Sequence, residues 1–293
     1  MNSLYKVVGI SKQAVYKYAL REKEKELKLK LLLNEAENLR AEHPGCGVEK
    51  MYYTLKPDFM GRDKFISTFM MLGFRIKTKK NYRRTTYSTR KYYPNLIKGM
   101  KVIAPNIIWQ SDITYIELGK RFYYAVFIID VYTKEIVGYQ VSDHMFATAN
   151  IKALRMAIKE YRAPKIHHSD RGSQYIYREY IKLLESYETN ISMALIAQEN
   201  AYAERINRTI KEEYLSRWQI KTFTELKKAV TKAVKNYNSK RIHNNLGRKT
   251  PKEFRNFVLL LPEQDRPEVI IYTDGNDKTV MTSSHHSLKQ DLT

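Results

Sequence analysis

The chain has 293 residues and 52 Lys plus Arg against 31 Asp plus Glu, for a formal net charge of +21. Its 43% apolar content supplies a sizeable core and excludes wholesale disorder, while a single cysteine, Cys46, excludes an internal disulfide framework and any Cys-rich zinc module. No apolar run approaches the roughly 20 residues that span a bilayer, and the opening MNSLYKVVGISKQAVYKY lacks an apolar signal core. Secretion and membrane insertion are therefore disfavoured. A positive surplus of this size points to a polyanion, nucleic acid before acidic membrane surfaces. The 23 tyrosines add rings that stack on bases and hydroxyls that bond phosphates, although most fit ordinary core or sheet positions.

The first 105 residues read as helical and basic, with 23 Lys/Arg against 9 Asp/Glu. Ser3–Val8, a Gly9-Ile10-Ser11 turn with Ser11 as N-cap, and Lys12–Leu20 resemble a helix-turn-helix, or equally a plain helical hairpin. Residues 21–40 continue as a charged helix with Leu27, Leu31 and Leu32 on one stripe. After the breaker His43-Pro44-Gly45-Cys46-Gly47, two more helices are expected at Val48–Leu55 and Asp63–Leu72, the second burying Phe65, Phe69 and Leu72. Arg75–Lys101 holds ten Lys/Arg, no acid and four tyrosines. It reads as a basic strap along a phosphate backbone, with Arg83, Arg84, Arg90 and Lys91 as contacts, or else as a solvated linker.

From Ile107 the pattern turns to strands. Ile107–Leu118, Phe122–Val131 and Glu135–Val141 form an antiparallel meander. A helix at Phe146–Tyr161, a strand at Lys165–Ser169, a helix at Ser173–Tyr187, a strand at Asn190–Leu195 and helices at Asn200–Arg217 and Phe223–Asn238 follow. The order β-β-β-α-β-α-β-α-α predicts an α/β fold: a ribonuclease-H-like mixed five-stranded sheet flanked by helices, preceded by a small helical N-terminal DNA-binding region. The expected divisions are 1–74 helical, 75–105 linker, 106–222 core, 223–261 C-terminal helical segment and 262–293 a loose tail with one short strand at Val269–Tyr272.

Three acids sit in unusual places. Asp112 lies mid-strand in Trp109-Gln110-Ser111-Asp112-Ile113-Thr114-Tyr115, where an unpaired carboxylate is costly to bury. Asp170 ends a strand, with Gly172 supplying the turn, at the position where α/β folds collect ligands. Glu204 follows small residues, Ala201 and Ala203, that let its helix approach the sheet. Each alone reads as a structural ion pair; the three together outline an oxygen-only site suited to two Mg²⁺ or Mn²⁺ ions in phosphodiester chemistry. Lys211, two helical turns after Glu204, points the same way toward a phosphate or terminal base, or else pairs with neighbouring acids. Asp130 reads as a structural strand end and Asp143 as a helix N-terminal charge.

Trp-x-x-Asp-Ile-Thr-Tyr, then His-Ser-Asp-Arg-Gly-Ser-Gln-Tyr, then Glu-Asn-Ala-x-Ala-Glu with a lysine seven further on resemble the integrase core of IS-three-type bacterial insertion-sequence transposases. The segment from Tyr237 to Leu246, closed by Thr250-Pro251-Lys252-Glu253-Phe254, is similar to that family's C-terminal signature, so the match covers about residues 30 to 257. The resemblance implies that Asp112, Asp170 and Glu204 are the catalytic, metal-binding triad, and that the chain is the family's second-frame subunit. It also implies double-stranded DNA partners (element terminal inverted repeats and target DNA), a homo-oligomer of two or more chains on DNA, an upstream-frame partner or fusion, and a bacterial, nucleoid-associated cytoplasmic location. Lys12, Lys17, Arg208, Arg241 and His243 join the strap residues and Lys211 as expected DNA contacts. One departure stands out: Asp170 and Glu204 are 34 positions apart, about two fewer than the family pattern, and Glu199 replaces its usual Asp.

Three functions compete on this reading. A DNA transposase would nick element ends and join their 3′-hydroxyls to target DNA. A catalytically inactive relic or regulator would bind DNA and show no strand transfer. A hydrolytic nuclease would cut without joining and would not need the large basic flanks.

Overall fold

Ser11 begins the first helix as expected, its hydroxyl accepting from Ala14 N at 3.0 Å, in a computed structural model that describes residues 11–76 and 92–271. The expected helix Ser3–Val8, and the strap contacts Arg83, Arg84, Arg90 and Lys91, lie outside the described residues. Two compact units divide between Thr78 and Lys79. Among the described residues no helix is long and apolar enough to cross a membrane.

The first unit comprises α1 (Lys12–Glu42), α2 (Val48–Leu55) and α3 (Arg62–Met71). Leu32, Ala36, Val48, Met51, Phe65 and Phe69 form its core, with the two Phe rings stacked at 4.0 Å between centroids. Leu32 and Ala36, four residues apart, take the inward stripe of α1. Leu27 and Leu31 lie roughly 100° or more around the helix from Leu32 and are exposed, as is Leu72 beyond the end of α3. The expected stripe was therefore placed one residue out of phase.

The second unit carries β1 (Lys101–Val102), β2 (Ile108–Leu118), β3 (Arg121–Asp130), β4 (Ile136–Ser142), α4 (Ala147–Glu160), β5 (Ile166–Ser169), α5 (Arg178–Glu185), β6 (Asn190–Met193), α6 (Ala201–Thr209), α7 (Phe223–Ser239), α8 (Pro251–Leu260) and β7 (Val269–Ile270). The main sheet has the order β4-β3-β2-β5-β6. β2–β3 and β3–β4 pair antiparallel, while β2–β5 and β5–β6 pair parallel. This is the mixed five-stranded, ribonuclease-H-like arrangement expected from the element order.

Alternation along β3 builds the two layers. Ala125, Phe127 and Ile129 pack with Ile206, Ile210, Leu226 and Val230 of the α6–α7 side. Val126 and Ile128 pack with Ala153, Leu154 and Ala157 of α4 on the other. Helix α4 comes so close that a Cβ at Gly138 would sit 2.9 Å from Ala157 Cβ and closer still to the Ala153 carbonyl. Asp130 is fully buried and accepts from Asn106 N, Thr133 N and Thr133 Oγ1, which closes the β3–β4 turn. That is the structural role expected of it. Asp143 is exposed beside His144 and lies before the first turn of α4, which holds no acid; it is not a helix N-terminal charge.

Two expected helices are broken. Ser173–Tyr187 is a 3₁₀ turn, Ser173–Ile176, followed by α5. Asn200–Arg217 begins as α6, passes through a π segment at Ile210–Tyr214 and ends in a 3₁₀ turn at Leu215–Arg217. After α7, the Thr250-Pro251-x-Glu253 run starts α8 with a full capping box and Pro in the first turn. The polar run after Leu261 does not leave the fold at once, because β7 pairs with β1 and buries Val269 and Ile271 against Ile97, Val102 and Val258.

Candidate active site

The site forms where β2, the end of β5 and the start of α6 meet. Gln110, Asp112 and Ile116 lie on the β2 face toward α6, while Trp109 and Ile113 pack on the opposite face. Asp112 Oδ1 accepts from its neighbour Ile113 N at 2.9 Å, and Oδ2 accepts from Asn207 Nδ2 at 2.8 Å. Asp170 follows β5, and its Oδ1 accepts from Gly172 N at 3.0 Å. A Cβ at Gly172 would lie 3.0 Å from that same oxygen and 3.0 Å from Gln174 Oε1, so the absent side chain makes room for the carboxylate. Glu204 lies in the first turn of α6 and is half-buried.

The three acids share one electrostatic neighbourhood. Burial pushes Asp112 up to about 8, and the charges of Asp170 and Glu204 add to that rise against the two hydrogen bonds. Asp170 is raised by burial, and Glu204 by burial and by Asp170, with Arg208 opposing. Lys211 is lowered by burial while Glu212 and Asp112 act to raise it, so it too lies within reach of this pocket's field. Among the described residues, no three His, Cys, Asp or Glu groups stand close enough to hold one ion as they are. The donor set nevertheless fits a hard divalent cation. It offers carboxylate oxygens only, and its members resist ionising together unless a positive charge joins them.

The neighbouring histidines are not part of that donor set. Burial lowers His167 to about 3 and His168 to about 4, so both rings are neutral. His167 Nε2 pairs with Tyr180 Oη at 2.9 Å and His168 Nδ1 with Ser192 Oγ at 2.8 Å. Behind the site, Tyr175 Oη meets Ser111 Oγ at 2.9 Å.

A tight loop links β6 to α6. Leu195 N donates to Glu199 Oε2 at 2.5 Å, a 3₁₀ turn spans Ala197–Asn200, and α6 begins directly at Ala201. Glu199 is thus turned onto its own loop. The described end of the basic stretch lies beside the site, with the Arg171 guanidinium 4.3 Å from the Tyr92 ring centre. Pro94 O accepts from Met193 N at 3.4 Å, and Leu96 N donates to Ser192 Oγ at 2.9 Å.

The remaining expected DNA contacts are dispersed. Lys12 and Lys17 are exposed on α1 in the first unit, and Arg208 is exposed on α6. Arg241 and His243 have internal partners. Arg241 grips Glu213 through Nε at 2.7 Å and Nη2 at 2.6 Å, and its Nη1 lies 3.1 Å from His243 Nε2. Its side chain is only 13% exposed, which suits an internal ion pair better than a phosphate contact. Sequence reasoning passed over Gln110, Asn200 and Asn207. A period of two from Asp112 and a turn of three from Glu204 would have found Gln110 and Asn207.

Comparison with known proteins bears on this arrangement. Residues 103–197 and 189–251 match two families, each described as an integrase core domain. The insertion element IS600 uncharacterized 31 kDa protein of Shigella sonnei is 32% identical over 261 residues, covering 85% of this chain and 96% of that protein. The transposase for insertion sequence element IS904 of Lactococcus lactis subsp. lactis is 33% identical over 191 residues, covering 63% of this chain and 74% of that one. Among solved structures, the simian T-cell lymphotropic virus intasome in complex with PP2A regulatory subunit B56 gamma aligns with a TM-score of 0.50 and 16% identity, covering 77% of this chain and 76% of that chain. That likeness is one of fold alone.

Proposed function

The chain belongs to the insertion-sequence transposases of IS-three type with an integrase-like core, a membership that implies polynucleotidyl transfer, and from that premise we propose that it nicks the ends of its element and transfers their 3′-hydroxyls to target DNA. Asp112, Asp170 and Glu204 are the catalytic carboxylates. The observation that carries this reading is the meeting of three carboxylates where β2, the end of β5 and the start of α6 converge, close enough that Asp170 and Glu204 act on Asp112 and a cation between them would relieve their mutual repulsion. Bound between these acids, a pair of Mg²⁺ or Mn²⁺ ions would supply charge neutralisation at the attacking and leaving oxygens. The chain's own part is to orient the acids: Asn207 holds Asp112, and the Gly172 amide holds Asp170.

The basic surplus recruits double-stranded DNA, both element ends and target, through phosphate contacts. Lys12 and Lys17 on α1, the strap residues Arg83, Arg84, Arg90 and Lys91, and Arg208 and Lys211 beside the acids are the proposed contacts. The helical segment up to residue 74 serves as a DNA-binding region ahead of the core. Joining two ends requires two such sites, so the working form is a dimer or larger assembly on DNA, with or without an upstream-frame partner.

The test is a gel assay of the purified chain with Mn²⁺ and labelled DNA bearing the element's terminal repeats, beside Asp112→Asn and Glu204→Gln. Nicked and joined products that fall by about a thousandfold or more in both variants, with salt-dependent DNA binding retained, support the proposal. Tight binding with no product, also after addition of the upstream partner, overturns it in favour of an inactive DNA-binding relic.

A further inference from the structure

Helix α6, which carries Glu204, has no side-chain cap of its own: Asn200 occupies the cap position without bonding the helix amides. The missing acceptor comes from the sheet. Gln110, fully buried on β2 two residues before Asp112, presents Oε1 to Tyr202 N at 3.2 Å and to Ala203 N at 3.4 Å. Its Nε2 donates to Glu199 O at 3.2 Å, tying down the loop just before the helix. Asn200 Nδ2 reaches back to the Ser111 carbonyl at 3.1 Å, and Asn207 Nδ2 reaches Asp112. Three amide side chains thus fasten the first two turns of α6 to residues 110–112 of one strand. The acids do not yet stand at coordinating distance, but the backbone segments that bear Asp112 and Glu204 are already bound to each other.

We infer that Gln110 is a positioning residue for the acidic triad: by capping α6 from the strand of Asp112, it fixes the Glu204 backbone so that cation capture needs only side-chain rotation. This rests on the assignment of Asp112, Asp170 and Glu204 as the metal-binding acids. Gln110 touches neither cation nor DNA in this role. It acts through the helix start. A merely structural glutamine would support the melting temperature without any selective effect on the ion.

The experiment measures Mn²⁺ binding to the full chain, without DNA, from the paramagnetic resonance signal of the free ion. The parent, Gln110→Met and Asp112→Asn are compared, with thermal melting in chelator alongside. Gln110→Met keeps the side-chain length and removes both polar atoms. The expected result is a Mn²⁺ dissociation constant raised by about tenfold or more in a protein that still melts cooperatively, with Asp112→Asn losing the site. Parent-like Mn²⁺ affinity in Gln110→Met while Asp112→Asn has lost it overturns the positioning role and leaves the triad standing. Parent-like affinity in Asp112→Asn overturns the triad assignment and this inference with it. Should Gln110→Met not fold, hydrogen exchange on the parent decides. Tyr202 and Ala203 amides protected equally with and without Mn²⁺ support the cap, whereas amides that are open until Mn²⁺ is added overturn it.

Discussion

Asn207 Nδ2 lies 2.8 Å from Asp112 Oδ2, one helical turn beyond Glu204, so a single turn of α6 carries one acid and holds another. The bond favours the ionised carboxylate and opposes the upward pull of burial on Asp112. Asn207→Leu removes that opposition, so Asp112 should titrate above its present value of about 8. Mn²⁺ binding at pH 7 should then weaken on the order of tenfold and recover as the pH is raised past the new value. Mn²⁺ titrations at pH 7 and pH 9 check this; an equal loss at both would mean that the bond sets geometry alone.

The same carboxyl links metal-free stability to pH. Its ordinary value is 3.8 and its folded value about 8. Between these limits the folded protein keeps a proton that the unfolded chain has lost, so stability falls as pH rises and the whole loss is present above about 8. Asp112→Asn has no proton to lose. In chelator it should melt higher than the parent at pH 8.5, by on the order of 2–4 °C, and the gap should close toward pH 4. Added Mn²⁺ should shrink the gap, because only the parent gains binding energy. Melting curves at the two pH values, with and without Mn²⁺, measure both effects.

Gly172 has ordinary backbone angles, φ −64° and ψ 141°, so alanine there meets no backbone strain. Its Cβ would nevertheless crowd Asp170 Oδ1 and Gln174 Oε1, each at 3.0 Å. Gly172→Ala should therefore turn the Asp170 carboxylate away from the Gly172 amide. Strand joining should fall about tenfold or more while the melting temperature stays near that of the parent. Joining assays paired with melting curves test it, and an active Gly172→Ala would show that Asp170 has room to spare.

Helix α8 is held to the core by a buried ion pair, Arg255 Nε on Glu135 Oε2, with Tyr161 Oη donating to Glu135 Oε1 at 2.9 Å. Arg255→Ala strands a carboxylate that is almost wholly enclosed and should destabilise by about 3–5 kcal/mol. The double variant Arg255→Met with Glu135→Leu should recover most of that loss, since neither charge remains. Urea denaturation of the parent and both variants gives the comparison.

The sheet was legible because Ile107–Leu118 and Phe122–Val131 are runs rich in β-branched and aromatic residues, and the turns at Gly119-Lys120 and Thr133-Lys134 are marked by residue type. The acids stood out by position: Asp112 in mid-strand, Asp170 at a strand end before Gly172, and Glu204 on a helix start lined by small residues. Less legible were features decided by tertiary contact. The phase of α1 was misplaced because leucines occur on more than one side of that helix and only packing selects Leu32. The π segment at Ile210–Tyr214 leaves no periodic trace over five residues. The Arg241–Glu213 pair joins residues 28 positions apart, so no local pattern shows that Arg241 is held by an internal partner. Gln110 reads as a polar residue in a strand until the helix it caps is in place.

The short ladder of β1 with β7 sets how the core responds to load. Lys101 faces Ile270 and Val102 faces Val269, and Gly99 N and Met100 O flank the pair with bonds to Ile271. The chain therefore passes into β1 and out of β7 at neighbouring points, with the two strands running antiparallel from that corner. Tension applied from the β7 side would open this clasp one bond at a time, like a zipper, instead of shearing the whole ladder. From the β7 side the sheet and its acids would feel the pull only after the clasp had opened and bared Ile97, Val269 and Ile271, whereas on the β1 side Pro94 and Leu96 bond β6 ahead of the clasp and carry the pull into the sheet directly.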